Sequence, residues 1–123
     1  MTKIQGETVR RQVMGDKFVD NALNNANDFT RPVQDYINAH GWGSTWQRDG
    51  ISLKTRSLVT VAMLAALKAS QELKGHVRGA INNGATVEEI REVLLHSAVY
   101  CGAPAAQEAF RAATEVLTEL DKI

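Results

Sequence analysis

The chain has 123 residues, 44% of them hydrophobic, with fourteen basic side chains against fourteen acidic ones. The length predicts one domain over residues 1–123, the apolar content excludes a disordered chain, and zero net charge removes any bulk electrostatic case for nucleic acid. The single cysteine, Cys101, excludes an intrachain disulfide, a CxxC redox pair and a zinc site built from several thiolates.

No P-loop, GxGxxG, HExxH or EF-hand spacing occurs, and the three histidines are scattered, so no metal site is indicated. The longest nearly apolar run, Leu58 to Leu67, is too short to span a bilayer. The first residues lack the apolar core of a signal peptide. These features predict a cytoplasmic protein with no membrane partner. Charge is uneven along the chain: residues 1–83 hold eleven Lys/Arg and seven Asp/Glu, residues 84–123 three and seven. That asymmetry favours a small anion near the first part, although solvated helix faces produce similar patterns.

Helical spacing dominates, with no sustained strand alternation. A short helix is predicted from Glu7 to Met14, and after Gly15 a second runs from Asp16 to about Asn25. Asn24, Asn25 and Asn27 suit a turn. Thr30 and Pro32 mark the next helix start, with its end at His40 and Gly41. The stretch Gly41-Trp42-Gly43-Ser44-Thr45-Trp46-Gln47-Arg48-Asp49-Gly50 then reads as a glycine-punctuated loop.

Ser52 is a candidate N-cap for a helix to about Lys68. Its middle, Leu58 to Leu67, is apolar around most of its circumference, which predicts cover on every side and hence a partner subunit. Ser70 begins a helix striped by Leu73, Val77, Ala80 and Ile81, stopped at Gly84. Thr86-Val87-Glu88-Glu89 is a capping box for a helix to about Tyr100. Pro104 opens the last helix, whose stripe is Ala106, Ala109, Phe110, Ala113, Val116, Leu117 and Leu120. The reading is an all-α bundle with short connections.

Within it, Glu72 and His76 lie four residues apart, one above the other on a helix, beside the Leu73/Val77/Ala80 stripe. Gly75 and Gly79 in the same helix point to close approach by a helix or a ligand. One reading is a carboxylate and an imidazole facing a pocket for proton transfer; the other is an i,i+4 pair on a half-exposed helix. Arg56 sits in the first turn of the most apolar helix, where a cation opposes the helix dipole. A bound carboxylate gripped by amides and guanidinium would reconcile the two, as would a structural salt bridge.

Trp42 and Trp46 either wall a pocket or cap the core, the core being the simpler reading. His96 shares a helix face with Glu89 and Glu92, pointing to solvent or a subunit interface. Tyr100, at the stripe's border, has a hydroxyl able to reach a cleft. Cys101, at the stripe's centre, reads as an inert buried thiol, and His40 as a favourable charge at a helix end.

Several stretches taken together resemble the carboxymuconolactone decarboxylase family. They are Thr55-Arg56-Ser57-Leu58-Val59-Thr60, Glu72-Leu73-Lys74-Gly75-His76-Val77, Asn82-Asn83-Gly84-Ala85-Thr86-Val87-Glu88-Glu89-Ile90 and Ala98-Val99-Tyr100-Cys101-Gly102-Ala103-Pro104-Ala105-Ala106. The N-terminal third adds Arg10-Arg11-Gln12-Val13-Met14-Gly15-Asp16, Asp28-Phe29-Thr30-Arg31-Pro32 and Trp42-Gly43-Ser44-Thr45-Trp46, which resemble the family's true decarboxylases.

The resemblance implies an AhpD-like bundle of about six to seven helices, commonly a homohexamer. It also implies cofactor-independent decarboxylation of 4-carboxymuconolactone to β-ketoadipate enol-lactone in aromatic catabolism, the β-ketoadipate pathway. The implied partner is a small anionic lactone. In that reading Arg56 holds a substrate carboxylate or the lactone oxygen, and His76, or else Glu72, donates the proton while the other orients it. Trp42, Trp46 and Tyr100 wall the site, and Arg48 is a candidate for the second carboxylate.

The family's peroxidase branch carries Cys-x-x-Cys-x-x-x-His. Aligning its histidine with His76 puts Ala69 and Glu72 on the two cysteines, which argues against disulfide chemistry. The rival readings are a peroxidase of the same fold and a non-catalytic oligomeric helical module.

Overall fold

The computed structural model describes residues 3–123. Met1 and Thr2, part of the stretch read above as lacking a signal peptide, lie outside the described residues. Seven α-helices, one π-helical turn and one 3-10 turn make up the architecture, with no strand among the described residues. Chain contacts divide it into two units that meet in sequence at Leu53 and Lys54.

The first unit opens with α1 (Lys3–Met14), which breaks at Gly15 and resumes as α2 (Asp16–Asn24). Gly15 has φ 91°, a region that strongly favours glycine. Arg11 ties the two helices across this joint, reaching Glu7 at 3.1 Å, Asp16 at 3.2 Å and Asp20 at 2.8 Å. Hydrogen bonds that the guanidinium donates to those carboxylates, Asp20 first, hold its pKa above its ordinary range.

The asparagine turn forms as predicted: Asn27 Oδ1 accepts from the backbone N–H groups of Phe29 and Thr30. The following helix differs from expectation. Only Arg31–Tyr36 is α-helical (α3); the chain then widens into a π-helical turn, Ile37–Trp42, that runs through Gly41. Gly41 does not stop the helix because burial of Asn38 and Trp42 on that turn outweighs a glycine penalty of about 1 kcal/mol. Thr45–Gln47 adds a 3-10 turn inside the stretch expected to be loop. The unit's core is Val13, Met14, Val19 and Trp42, flanked by Val9, Phe18, Ile37, Trp46 and Leu53.

The second unit holds α4 (Leu53–Ala66, entering from the first), α5 (Ser70–Asn82), α6 (Val87–Cys101) and α7 (Ala103–Glu119). The predicted capping box is present in both halves. Glu89 N–H donates to Thr86 Oγ1 at 3.0 Å, and Thr86 N–H donates to Glu89 Oε1 at 2.9 Å. Lys54 adds an ion pair to Glu89 at 3.1 Å. The Thr86 amide bond, then Lys54, holds the Glu89 carboxyl below its usual pKa.

Ion pairs Lys74–Glu115 (2.7 Å) and Arg78–Glu119 (3.1 Å) advance together along α5 and α7, so these helices run parallel. Gly75 and Gly79 are buried. The α7 face that buries its stripe is nearly all alanine (Ala105, Ala106, Ala109, Ala112, Ala113), so little side-chain volume separates α7 from its neighbours. Leu73, Val77, Ala80, Ile90, Leu94, Val116 and Leu117 complete this core.

Candidate active site

Asn83 Nδ2 donates to Ser57 Oγ at 2.9 Å, joining the beginning of α4 to the end of α5. The two helices are therefore an antiparallel hairpin closed by the short segment 67–69. Ser57 is fully buried, so the bond is made in a low-dielectric setting where losing one partner costs about 1–3 kcal/mol. It fixes the register of the two helices that carry the predicted cation and the predicted acid.

Arg56 precedes Ser57 in the first turn of α4. Its backbone carbonyl accepts from Thr60 Oγ1 at 2.8 Å. His76 lies seven residues before Asn83 on α5, hence about 10 Å along the hairpin from the Ser57 level at 1.5 Å per residue. Both residues are half-buried, and Arg56 Nε and His76 Nδ1 are themselves shielded from solvent. Glu72, one turn before His76, is exposed. Of the two candidate acids, the imidazole is the one removed from bulk water.

The aromatic candidates belong to the first unit. Trp42 is 4% exposed and stacks on Trp46 with ring centroids 4.6 Å apart and planes at 23°. Gln47 Nε2 donates to the Trp42 carbonyl at 3.2 Å, closing the turn that holds the pair. Trp42 is thus a core residue. Trp46 lines a pocket of about 470 Å³ together with Arg48, Gln12 and Ser52. The structure brings Trp46 and Arg48 to one pocket, and neither Arg56 nor His76 is among its lining residues.

Tyr100 and Cys101 stand elsewhere. They line an open groove of about 560 Å³ between α4 and α6, with Leu58, Val59, Ala62, Val93 and His96. The ring of Tyr100, 78% exposed, leans on His96 at 5.3 Å. Neither Arg56 nor His76 lines this groove. The expected burial of Cys101 is corrected: the thiol is exposed. The core-facing stripe of α6 is buried only as far as Ser97, and Cys101 is the last helical residue, one turn beyond that cover.

Sequence reasoning missed Arg10, which is buried with Gln34 and Asn38 as its partners. Its signal was positional. Gly6, Arg10, Val13 and Met14 fall at i, i+4, i+7 and i+8, so the arginine occupies the middle of an apolar stripe. Among the described residues no three His, Cys, Asp or Glu side chains gather as a metal cluster.

Comparison with known proteins joins these observations. The chain is 47% identical over 116 residues to nitrosuccinic acid decarboxylase npaB of Metarhizium robertsii, covering 94% of this chain and 81% of that one. It is 44% identical over 116 residues to the 4-carboxymuconolactone decarboxylase of Acinetobacter baylyi, covering 94% and 87%. A weaker likeness, 31% over 91 residues, links it to peroxisomal protein 2 of Saccharomyces cerevisiae, of which it covers 32%. Residues 31–115, which include Arg56, Glu72 and His76, match the model of the carboxymuconolactone decarboxylase family, and the chain belongs to that family.

Proposed function

We propose that the protein decarboxylates 4-carboxymuconolactone to β-ketoadipate enol-lactone without a cofactor, as a step of aromatic-acid breakdown. The observation that carries this reading is the 44% identity over 94% of the chain to a 4-carboxymuconolactone decarboxylase. The α4–α5 hairpin, which carries both Arg56 and His76, is in keeping with that chemistry.

The substrate is a five-membered unsaturated lactone whose ring carbon bears a carboxylate and a carboxymethyl arm. When the bond to the ring carboxylate breaks, CO2 leaves and the electron pair stays on the ring. It moves through the ring double bond onto the lactone carbonyl oxygen, giving an oxyfuran-like enolate. A proton then adds to the carbon next to that carbonyl. The lactone is its own electron sink, so the protein supplies charge stabilisation and a proton. Arg56 holds a carboxylate or the developing oxyanion, and a guanidinium suits either. His76 delivers the proton and Glu72, one turn away, tunes it. Trp42, Trp46 and Arg48, which the resemblance assigns to substrate binding, belong to the first unit. Tyr100, on the α4–α6 groove, holds the weakest claim to a role.

A second reading comes from the relative that is 47% identical. Nitrosuccinic acid also carries its departing carboxylate beside a carboxymethyl arm, with a nitro group as electron sink. The test is an ultraviolet assay of purified, dialysed protein with each compound in the presence of a chelator. Loss of lactone absorbance under those conditions is the expected result. A strict requirement for added metal, thiamine or pyridoxal phosphate would overturn the mechanism.

A closed homo-oligomer, commonly a hexamer in the family, also belongs to this reading. Val59 and Met63 on α4, Leu67 just beyond its end, and Leu95, Val99 and Tyr100 on α6 are all exposed, Leu67 at 74%. So much apolar surface on two neighbouring helices exceeds what a monomer usually leaves to water. Light scattering at micromolar concentration is expected to give a multiple of the 13.5 kDa chain mass, with six the expected number, and a stable monomer would contradict it. No helix among the described residues is long and apolar enough to cross a membrane. The exposed free thiol of Cys101 is in keeping with a reducing compartment such as the cytoplasm.

A further inference from the structure

Among the described residues, no acidic side chain is bonded to the buried guanidinium of α1. Arg10 is 6% exposed and lies on the face that α1 turns toward the π-helical turn. Its Nη1 donates to Gln34 Oε1 at 2.9 Å and to Asn38 Oδ1 at 3.1 Å. Both acceptors are neutral amides. Nε is shielded from solvent and has no hydrogen-bond partner. Glu7, one turn earlier, acts on Arg10 only through space, because its carboxylate is bonded to Arg11.

The contrast with Arg11 is informative. That residue is the more exposed of the two and meets three carboxylates, while its buried neighbour meets none among the described residues. Stability alone favours the reverse, since a buried charge without a counter-charge costs several kcal/mol and amide hydrogen bonds return only part of that. Burial pulls the Arg10 pKa down from its ordinary value, yet a guanidinium stays protonated at neutral pH. Glutamate at position 34, or aspartate at 38, would neutralise the charge with almost no change of shape. Amides at both places hold the guanidinium in position and leave its charge unspent.

We infer that Arg10 is an anion-holding group, kept unneutralised by Gln34 and Asn38 so that a ligand carboxylate completes its coordination. Identifying that carboxylate with one of the two on the substrate rests on the decarboxylase reading. On that reading Arg10 is a buried alternative to Arg48, which is exposed next to Asp49. The π-helical turn has a part in this. Wide turns of that kind recur at functional sites, and this one sets Asn38 inward against α1.

The test replaces Gln34 with glutamate, which delivers an internal carboxylate to Arg10. The probes are succinate, a dicarboxylate with no electron sink, in thermal melts, and 4-carboxymuconolactone in steady-state kinetics. Succinate is expected to raise the melting temperature of the unaltered protein. Gln34→Glu should melt higher than the unaltered protein without ligand, lose the succinate shift, and show KM raised at least tenfold with kcat little changed. Arg10→Met should lose the succinate shift as well, and Arg10→Lys should keep part of it.

If Gln34→Glu retains both the succinate shift and the original KM, Arg10 is only a tether and the inference fails. Absence of a succinate shift in the unaltered protein, with an unchanged KM in Gln34→Glu, overturns it equally. A protein inactive on the lactone whose succinate shift vanishes in Gln34→Glu supports the anion site while sinking the decarboxylase reading.

Discussion

Replacing His76 with alanine is expected to lower kcat for the lactone by about 10²–10⁴-fold, the usual contribution of a positioned acid. The imidazole is half-buried on α5, and its Nδ1 is screened from water. That shielding is what the proposed proton donor needs if its proton is to reach the substrate carbon and not exchange with solvent. Glu72 is exposed one turn away, so Glu72→Gln should cost much less and shift the pH profile instead of abolishing turnover. Arg56→Ala should act on KM more than on kcat, because the guanidinium grips charge already present in the ground state. Circular dichroism and melting curves must match the unaltered protein for these rates to be read. If folded His76→Ala and Glu72→Gln proteins both keep near-normal turnover, the proton comes from another group and the assignment fails.

The parts of the fold legible in the sequence are those written in local chemistry. Thr86 and Glu89 form the capping box their spacing announced, and Pro104 lies at the start of α7. Gly84, at φ 93°, follows the end of α5. In each case one residue type satisfies a backbone requirement that its neighbours cannot. The run Leu58–Leu67 predicted cover on every side, and within one chain Met63 and Leu67 are exposed, since one small unit has too few partners to cover all sides of a helix.

The misreadings share a different cause. Gly41 looked like a stop because propensity was weighed without the packing of Asn38 and Trp42. Cys101 looked buried because periodicity says which face a residue shares and says nothing of where the cover ends. Arg10 was passed over because a charge in an apolar stripe looks like an interruption until its acceptors, 24 and 28 residues away, are known. The hairpin register that relates Arg56 to His76 depends on the Asn83–Ser57 bond, and nothing in the spacing of either segment announces that bond.

Gly6→Ala should destabilise the protein where ordinary helix propensity says it should stabilise it. Alanine in a helix interior gains about 1 kcal/mol over glycine, and α1 spans Lys3–Met14. A Cβ built on Gly6, however, overlaps the Asn38 carbonyl and lies 2.8 Å from the Gly43 amide nitrogen. The obstacle is backbone, so no rotamer change relieves it, and α1 must move off the π-helical turn. Overpacking costs about 1–3 kcal/mol, occasionally more, and displacement also strains the Arg10–Asn38 hydrogen bond. A net loss of about 2 kcal/mol is expected, seen as a fall of roughly 6–10 °C in melting temperature for a domain of this size. Gly41→Ala is the control within the turn itself: nothing lies within 4 Å of a Cβ at that position, so it should be neutral or slightly stabilising. Equal melting temperatures for the two variants would show that α1 does not press on the turn at Gly6. If instead Gly6→Ala melts lower and also loses the stabilisation by succinate, the same contact that packs α1 holds Asn38 in place for Arg10.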